Sequence, residues 1–160
     1  MAAVGRAQVV TVSDRSYAGL REDSSGPLLA SLLADLGFEV GPVVVVPDEV
    51  EAIRAAVRAA TGAAYDLVVT TGGTGLAPRD VTPEAIRPLL DRDVPGLGEA
   101  LRQQGRDRLP TTILSRSLAG TVGRALVVAL PGSTGAVRDG VAVLAPVVGH
   151  ALDQLRGGDH

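Results

Sequence analysis

The sequence contains no cysteine, no lysine and no tryptophan, and each absence closes off some chemistry. Without cysteine there is no disulfide framework, no zinc–thiolate centre and no thiol nucleophile. Without lysine there is no Schiff base and no P-loop lysine to reach a nucleotide's phosphates. One Phe and two Tyr leave few rings on which bases could stack, and the net charge of −3 argues against a nucleic-acid partner. No apolar run reaches the length of a membrane span. The first ends at Ser13 and Asp14, and Val141 to Leu155 is interrupted by Pro146, Gly149, His150 and Asp153, which reads as core or subunit interface. The N-terminus lacks a signal peptide's layout, so a soluble cytoplasmic protein with no membrane partner is expected. All 15 basic residues are arginine, whose planar fork suits one small phosphorylated ligand.

What is present is an alternation of two patterns. Ala7 to Val12 is a β-branched run that predicts a strand. Leucines 28, 29, 32, 33 and 36 recur at helical spacing, with Ser25 as cap and Gly37 as stop. Val43 to Val46 reads as a buried strand. Asp48 then caps a helix to about Ala60, with Glu51 three residues on. Leu67 to Thr71 is a third strand, and Thr82 caps the next helix with Pro83 at its first position. A short helix is expected over Glu99 to Arg106. Ala125 to Leu130 is a buried strand, followed by a helix from about Ala136 that breaks at Pro146 and continues to about Leu155. Hydrophobic residues make up 46% of 160, enough for one core, and no linker or repeat is visible, so residues 1–160 read as a single domain. Strand–helix alternation predicts the α/β class: three layers, a mostly parallel sheet and helices on both faces.

In such sheets ligands bind beyond the carboxyl ends of the strands. Each strand is followed by a polar cluster: Ser13-Asp14-Arg15, then Pro47-Asp48-Glu49, then Thr71 to Asp80, then Pro131-Gly132-Ser133. Parallel strands would bring all four to one rim.

The loop T-T-G-G-T-G-L-A-P-R-D is the most suggestive of these. Gly72, Gly73 and Gly75 can bring bare N–H groups up to an anion, with Thr71 and Thr74 adding hydroxyls; an ordinary strand-to-helix turn is the competing explanation. It is not a Walker A motif, and Pro78 stands where a dinucleotide fingerprint needs its third glycine. Asp48 is explained either as a helix cap or as a ligand, whereas Asp80 is harder to dismiss because Thr82 fills the cap. Two carboxylates beside an anion loop suit Mg²⁺, which takes one or two carboxylates plus substrate phosphates. Asp14 is a third candidate, or a turn former. A Ser-His-Asp triad would depend on His150, which sits on an apolar helix, and Gly132-Ser133-Thr134-Gly135 is not a nucleophile elbow.

T-T-G-G-T-G followed by P-R-D-V-T-P-E-A resembles the signature of the molybdopterin-binding fold of molybdenum-cofactor biosynthesis. V-S-D-R, D-S-S-G-P, V-P-D-E, V-P-G-L-G-E-A-L-R, I-L-S-R-S-L-A-G and L-P-G-S extend the resemblance over nearly the whole chain. Within it the sequence is most similar to the stand-alone molybdopterin adenylyltransferases, themselves similar to the G domain of gephyrin. The resemblance implies Mg²⁺-dependent attack of molybdopterin's terminal phosphate on the α-phosphate of ATP. The products are adenylylated molybdopterin, destined for a molybdenum insertase, and pyrophosphate. It implies Asp48 and Asp80 as the essential acids. The pterin and its phosphate would be held by the glycine loop and by Ser115, Ser117 and Ser133, with Glu99 as a further family acid, in a homotrimer. A relative that only binds molybdopterin, or a scaffolding protein of the same fold, are the alternatives. The acid at Asp48 favours the enzyme.

Overall fold

The computed structural model describes residues 2–158. Its centre is one mixed sheet. Strands β1 (Arg6–Val12), β4 (Leu67–Thr71) and β7 (Ala125–Leu130) run parallel through its middle. Two short strands, β2 (Glu39–Val40) and β3 (Val44–Val46), both pair in parallel with β1 on one side. On the other, β6 (Leu118–Val122) joins β7 antiparallel, and β5 (Arg92–Asp93) joins β6. The central strands read as unbroken apolar runs because both faces are covered, and every residue of β4 and β7 is buried.

Beyond the short α1 (Asp14–Tyr17), the helices form the outer layers. On one face α2 (Ser25–Asp35), α6 (Thr134–Leu144) and α7 (Val148–Leu155) pack Leu29, Leu33, Val137, Leu144 and Leu152 against Val9, Leu67, Val69 and Val128. Leu97 and Leu101 of α5 (Pro95–Gln103) flank this cluster. On the other face α3 (Val50–Gly62) and α4 (Thr82–Ile86) pack Ile53, Val57, Ala85 and Ile86 against Val10, Val68 and Val127. Fully burying a side chain of this size contributes roughly 1.5–3 kcal/mol, so these two clusters hold the layers together.

The three-layer α/β reading therefore holds, with corrections of detail. Val43 to Val46 is not fully buried: β3 begins at Val44 and lies at the sheet edge, with Val44 39% exposed. β6 has little strand signal in its own sequence. Its signal was a two-residue Gly123-Arg124 connection, with Gly123 at φ 57°, between Val122 and its partner Ala125. The helix expected at Glu99 begins earlier, at Pro95. Ser24, not Ser25, occupies the cap position of α2, and Asp23 accepts the Gly26 N–H at 3.0 Å.

Among the described residues no single helix is long and apolar enough to cross a membrane. Together α6 and α7 have the length, but they are bent by 60° at the break and their apolar faces belong to the core.

Candidate active site

Register brings the four clusters together. Val12 pairs with Val46, Thr11 with Thr71 and Thr71 with Leu130, so β1, β3, β4 and β7 end level. A cavity of about 990 Å³ opens above those ends. Ser13, Asp48, Thr71, Gly72, Gly73, Thr74, Gly75, Asp80, Ser115, Pro131, Gly132 and Ser133 all line it.

The glycine loop is built from below. The Gly72 N–H donates to Leu130 O at 2.9 Å, and its φ of 111° excludes side chains; a Cβ there would strike Val12 O. Gly73 has φ 69°, and a Cβ there would strike Thr82 Oγ1 and lie 3.2 Å from Asp48 Oδ1. Thr71 donates its hydroxyl proton to Pro131 O at 2.9 Å, tying the rim of β4 to that of β7 rather than waiting for a ligand. The N–H groups of Gly73, Thr74 and Gly75 find no acceptor among the described residues, although Thr74 is buried. Buried backbone donors are ordinarily satisfied, and consecutive unpaired ones form a concavity for an anion.

Both helix caps expected here are corrected. Asp48 does not cap α3: Glu49 holds the cap position without a side-chain bond, and Asp48 Oδ2 instead accepts the Asp14 N–H at 2.8 Å. Thr82 does not cap α4 either. It is the first helical residue, fully buried, and its hydroxyl donates to Gly72 O at 3.0 Å, with Val81 before it. In both cases a tertiary acceptor or donor outcompetes the local one.

The carboxylates stand at the two ends of the loop. Asp48 Oδ1 faces Gly73, while Asp80 Oδ2 lies 2.8 Å from where a Gly75 Cβ would stand. One oxygen of each is held by backbone, Asp48 Oδ2 by Asp14 and Asp80 Oδ2 by the Ala77 N–H at 3.0 Å. Asp48 Oδ1 and Asp80 Oδ1 have no donor among the described residues. Burial pushes the Asp48 carboxyl above its ordinary range, the nearby charges of Asp14 and Asp80 add to this, and the Asp14 N–H opposes it. Asp14 moves the other way: the hydrogen bonds from Arg79 lower it first and that from the Asp48 N–H second. Among the described residues no group of three or more His, Cys, Asp or Glu side chains forms a closed metal cage. Two carboxylates with one free oxygen each, beside unpaired N–H donors, fit Mg²⁺, which keeps waters and takes the rest of its shell from phosphates.

Not every expected residue reaches the cavity. Asp14 does not line it, but its N–H holds Asp48 Oδ2. Ser115 is on the wall, but Ser117 is buried and lines a neighbouring depression, their hydroxyls 2.9 Å apart. Glu99 is exposed on α5 and lines neither cavity. His150 is exposed on α7, away from both. Ser133 caps α6, accepting the Ala136 N–H at 3.1 Å, a role its position before Thr134 could have signalled. Sequence reasoning missed the far wall, where Arg21, Gln104, Arg108 and Arg138 lie; only the all-arginine composition hinted at it.

Over residues 8–150 the chain matches the model of a family described as a probable molybdopterin binding domain. It is 48% identical over 154 residues to a molybdenum cofactor biosynthesis bifunctional protein of Synechococcus elongatus, covering 96% of this chain but only 48% of that protein. It is 40% identical over 153 residues to a molybdopterin adenylyltransferase of Pyrococcus furiosus, covering 92% of this chain and 89% of that one. A crystal structure of a molybdopterin biosynthesis protein from Mycobacterium abscessus superposes with a TM-score of 0.92 at 48% identity, covering 96% of this chain and 98% of the other. The chain thus spans about half the length of the bifunctional relative and nearly all of the single-domain ones. With a glycine loop of left-handed backbone set between two rim carboxylates, and likeness of this extent, the chain belongs to the molybdopterin-binding domain family of molybdenum cofactor biosynthesis.

Proposed function

We propose that this protein adenylylates molybdopterin with ATP. The observation that carries the reading is the row of N–H groups from Gly73 to Gly75, unpaired among the described residues, with the free Asp48 Oδ1 at the Gly73 end and the Asp80 carboxylate at the Gly75 end. A phosphate seated on those N–H groups lies within reach of both carboxylates. The name of the Pyrococcus relative supports the choice of reaction.

In this reading the molybdopterin phosphate is already anionic, so no general base is required. Its oxygen forms a bond to the α-phosphorus of ATP as the bond from that phosphorus to the bridging oxygen breaks and pyrophosphate leaves. Catalysis then consists of positioning and charge stabilisation. Bound to Asp48 and Asp80, Mg²⁺ would supply positive charge against the nucleotide's phosphates. Gly73, Thr74 and Gly75 hold the attacking phosphate, and the Asp14 N–H orients Asp48. Ser115 and Ser133 contribute polar wall, and Arg21, Arg108 and Arg138 offer positive charge to the anionic substrates. Homotrimer assembly and delivery of the product to a molybdenum insertase belong to the same proposal. They rest on the family resemblance.

The test is to incubate the purified protein with molybdopterin, ATP and Mg²⁺ and to follow pyrophosphate. One pyrophosphate per adenylylated pterin is expected. Tight pterin binding without pyrophosphate release would replace the reading with that of a binding protein.

A further inference from the structure

Arg116 lies in the segment between the Pro110–Leu114 turn and β6, outside the cavity wall. Its backbone N–H donates to Thr74 O at 2.8 Å. Its Nε donates to Gly75 O at 2.9 Å and its Nη2 to Asp80 O at 2.7 Å. Its Nη1 donates to both carboxylate oxygens of Glu84, at 2.7 and 2.8 Å. One side chain therefore grips the two ends of the exposed excursion from Leu76 to Arg79 and anchors them to α4. Within that excursion the Asp80 N–H donates to Ala77 O and the Ala77 N–H donates back to Asp80 Oδ2. Asp80 thus closes its own turn. Arg79 ties that turn to Asp14 and the Thr82 N–H ties α4 to Gly73 O, while Arg116 bridges Gly75 O and Asp80 O directly and so sets the distance between them.

We infer that the Arg116–Glu84 pair is a clamp that sets the distance between Asp80 and the glycine loop, making Arg116 a positioning residue for the metal–nucleotide. The inference rests on the reading of Asp80 proposed above. Arg116 does not serve as a free cation for the reacting phosphates, since each of its three guanidinium nitrogens is already engaged on the far side of the loop. Lysine cannot replace it. A point charge on a flexible stem does not bridge two carbonyls, whereas the Nε/Nη2 edge of arginine does. Displacement of a catalytic group by about 1 Å costs on the order of 100-fold in rate, so the clamp has leverage without touching substrate.

The experiment compares wild type, Arg116→Lys, Glu84→Gln and Asp80→Asn, plus Arg116→Lys in the Asp80→Asn background. Mn²⁺ binding is read by electron paramagnetic resonance in the presence of α,β-methylene-ATP, beside melting temperature and pyrophosphate release. A folded Arg116→Lys protein is expected to lose about 10-fold or more in Mn²⁺–nucleotide affinity, in line with the leverage of misplacement. In the Asp80→Asn background the same substitution is expected to cost nothing further. Glu84→Gln loosens the anchor and is expected to lose affinity in the same direction by a smaller factor; it decides the question if Arg116→Lys does not fold. Unchanged affinity in the folded variants, or an equal added loss without Asp80, overturns the clamp. A wild type that binds Mn²⁺–nucleotide but releases no pyrophosphate overturns adenylyl transfer alone, and the Mn²⁺ comparisons still judge the clamp. A wild type that binds no Mn²⁺–nucleotide overturns both.

Discussion

Asp14 and Asp48, 34 residues apart in sequence, exchange hydrogen bonds: the Asp14 N–H donates to Asp48 Oδ2 at 2.8 Å and the Asp48 N–H donates to Asp14 Oδ1 at 2.9 Å. Two carboxylates are thereby held side by side at the ends of β1 and β3. Their repulsion is relieved from one side only, by Arg79, whose Nε and Nη2 donate to Asp14 at 2.9 and 3.0 Å. Asp48 is left as the half-buried, less compensated member, with its free oxygen toward the glycine loop.

Asp48→Asn is therefore expected to raise the melting temperature of the ligand-free protein at neutral pH while abolishing adenylyl transfer. The folded state holds this carboxyl above its ordinary value of 3.8, chiefly by burial, so ionisation at neutral pH costs stability. That stability is present below the ordinary value and is lost as pH rises through the raised one. The gain from asparagine, which keeps an oxygen for the Asp14 N–H, should accordingly vanish when melting is repeated below the usual carboxylate range. A stabilised variant with full turnover would remove Asp48 from the reaction.

Asp14 carries the opposite sign. Its carboxyl is lowered by the Arg79 hydrogen bonds and then by the Asp48 N–H, so its contribution is present above the ordinary value and is lost as pH falls through the lowered one. Asp14→Ala should lower the melting temperature at pH 7, and the deficit against wild type should close in acid. It should also raise the Mg²⁺ concentration required for half-maximal turnover, because the Asp48 N–H loses the carboxylate that holds it, although the residue-14 N–H to Asp48 Oδ2 remains. Pterin affinity should change little.

Gly73→Ala should destabilise the fold by at least about 1 kcal/mol, the cost of a left-handed backbone for a residue with a Cβ, before the collision with Thr82 is counted. Chemical denaturation measures this. Pterin binding should fall in step, since the same Cβ displaces the Thr82 hydroxyl that holds Gly72 O.

Thr70→Val should stabilise. Thr70 is fully buried in β4, and its hydroxyl has no partner among the described residues. Removing a buried unsatisfied hydroxyl while keeping β-branched shape recovers about 1 kcal/mol, or roughly 2–4 °C in melting temperature for a domain of this size. An unchanged or lower melting temperature would show that the hydroxyl is satisfied by solvent.

The central strands and the rim were legible in the sequence because they follow from short-range facts. Leu67 to Thr71 and Ala125 to Leu130 are apolar without a break, which a strand covered on both faces requires, and parallel direction forces the polar residues after them onto one edge. That Gly72 and Gly73 must be glycine was legible too, but the collisions that require it, with Val12 O and Thr82 Oγ1, come from residues the folded sheet brings in.

Hydrogen-bond partners were decided by the tertiary structure alone. Spacing marks Asp48 and Thr82 as helix caps, and local capping would satisfy them in an isolated helix. In the folded chain the Asp14 N–H and Gly72 O reach them instead, across 34 and 10 residues. The same holds for Arg116, whose grip on Gly75 and Asp80 spans 41 and 36 residues. Composition and periodicity determine which faces of the elements are buried, and hence the layers and the rim. They carry no information on which polar atoms then stand within 3 Å of one another, because that depends on the register of strands far apart in the chain.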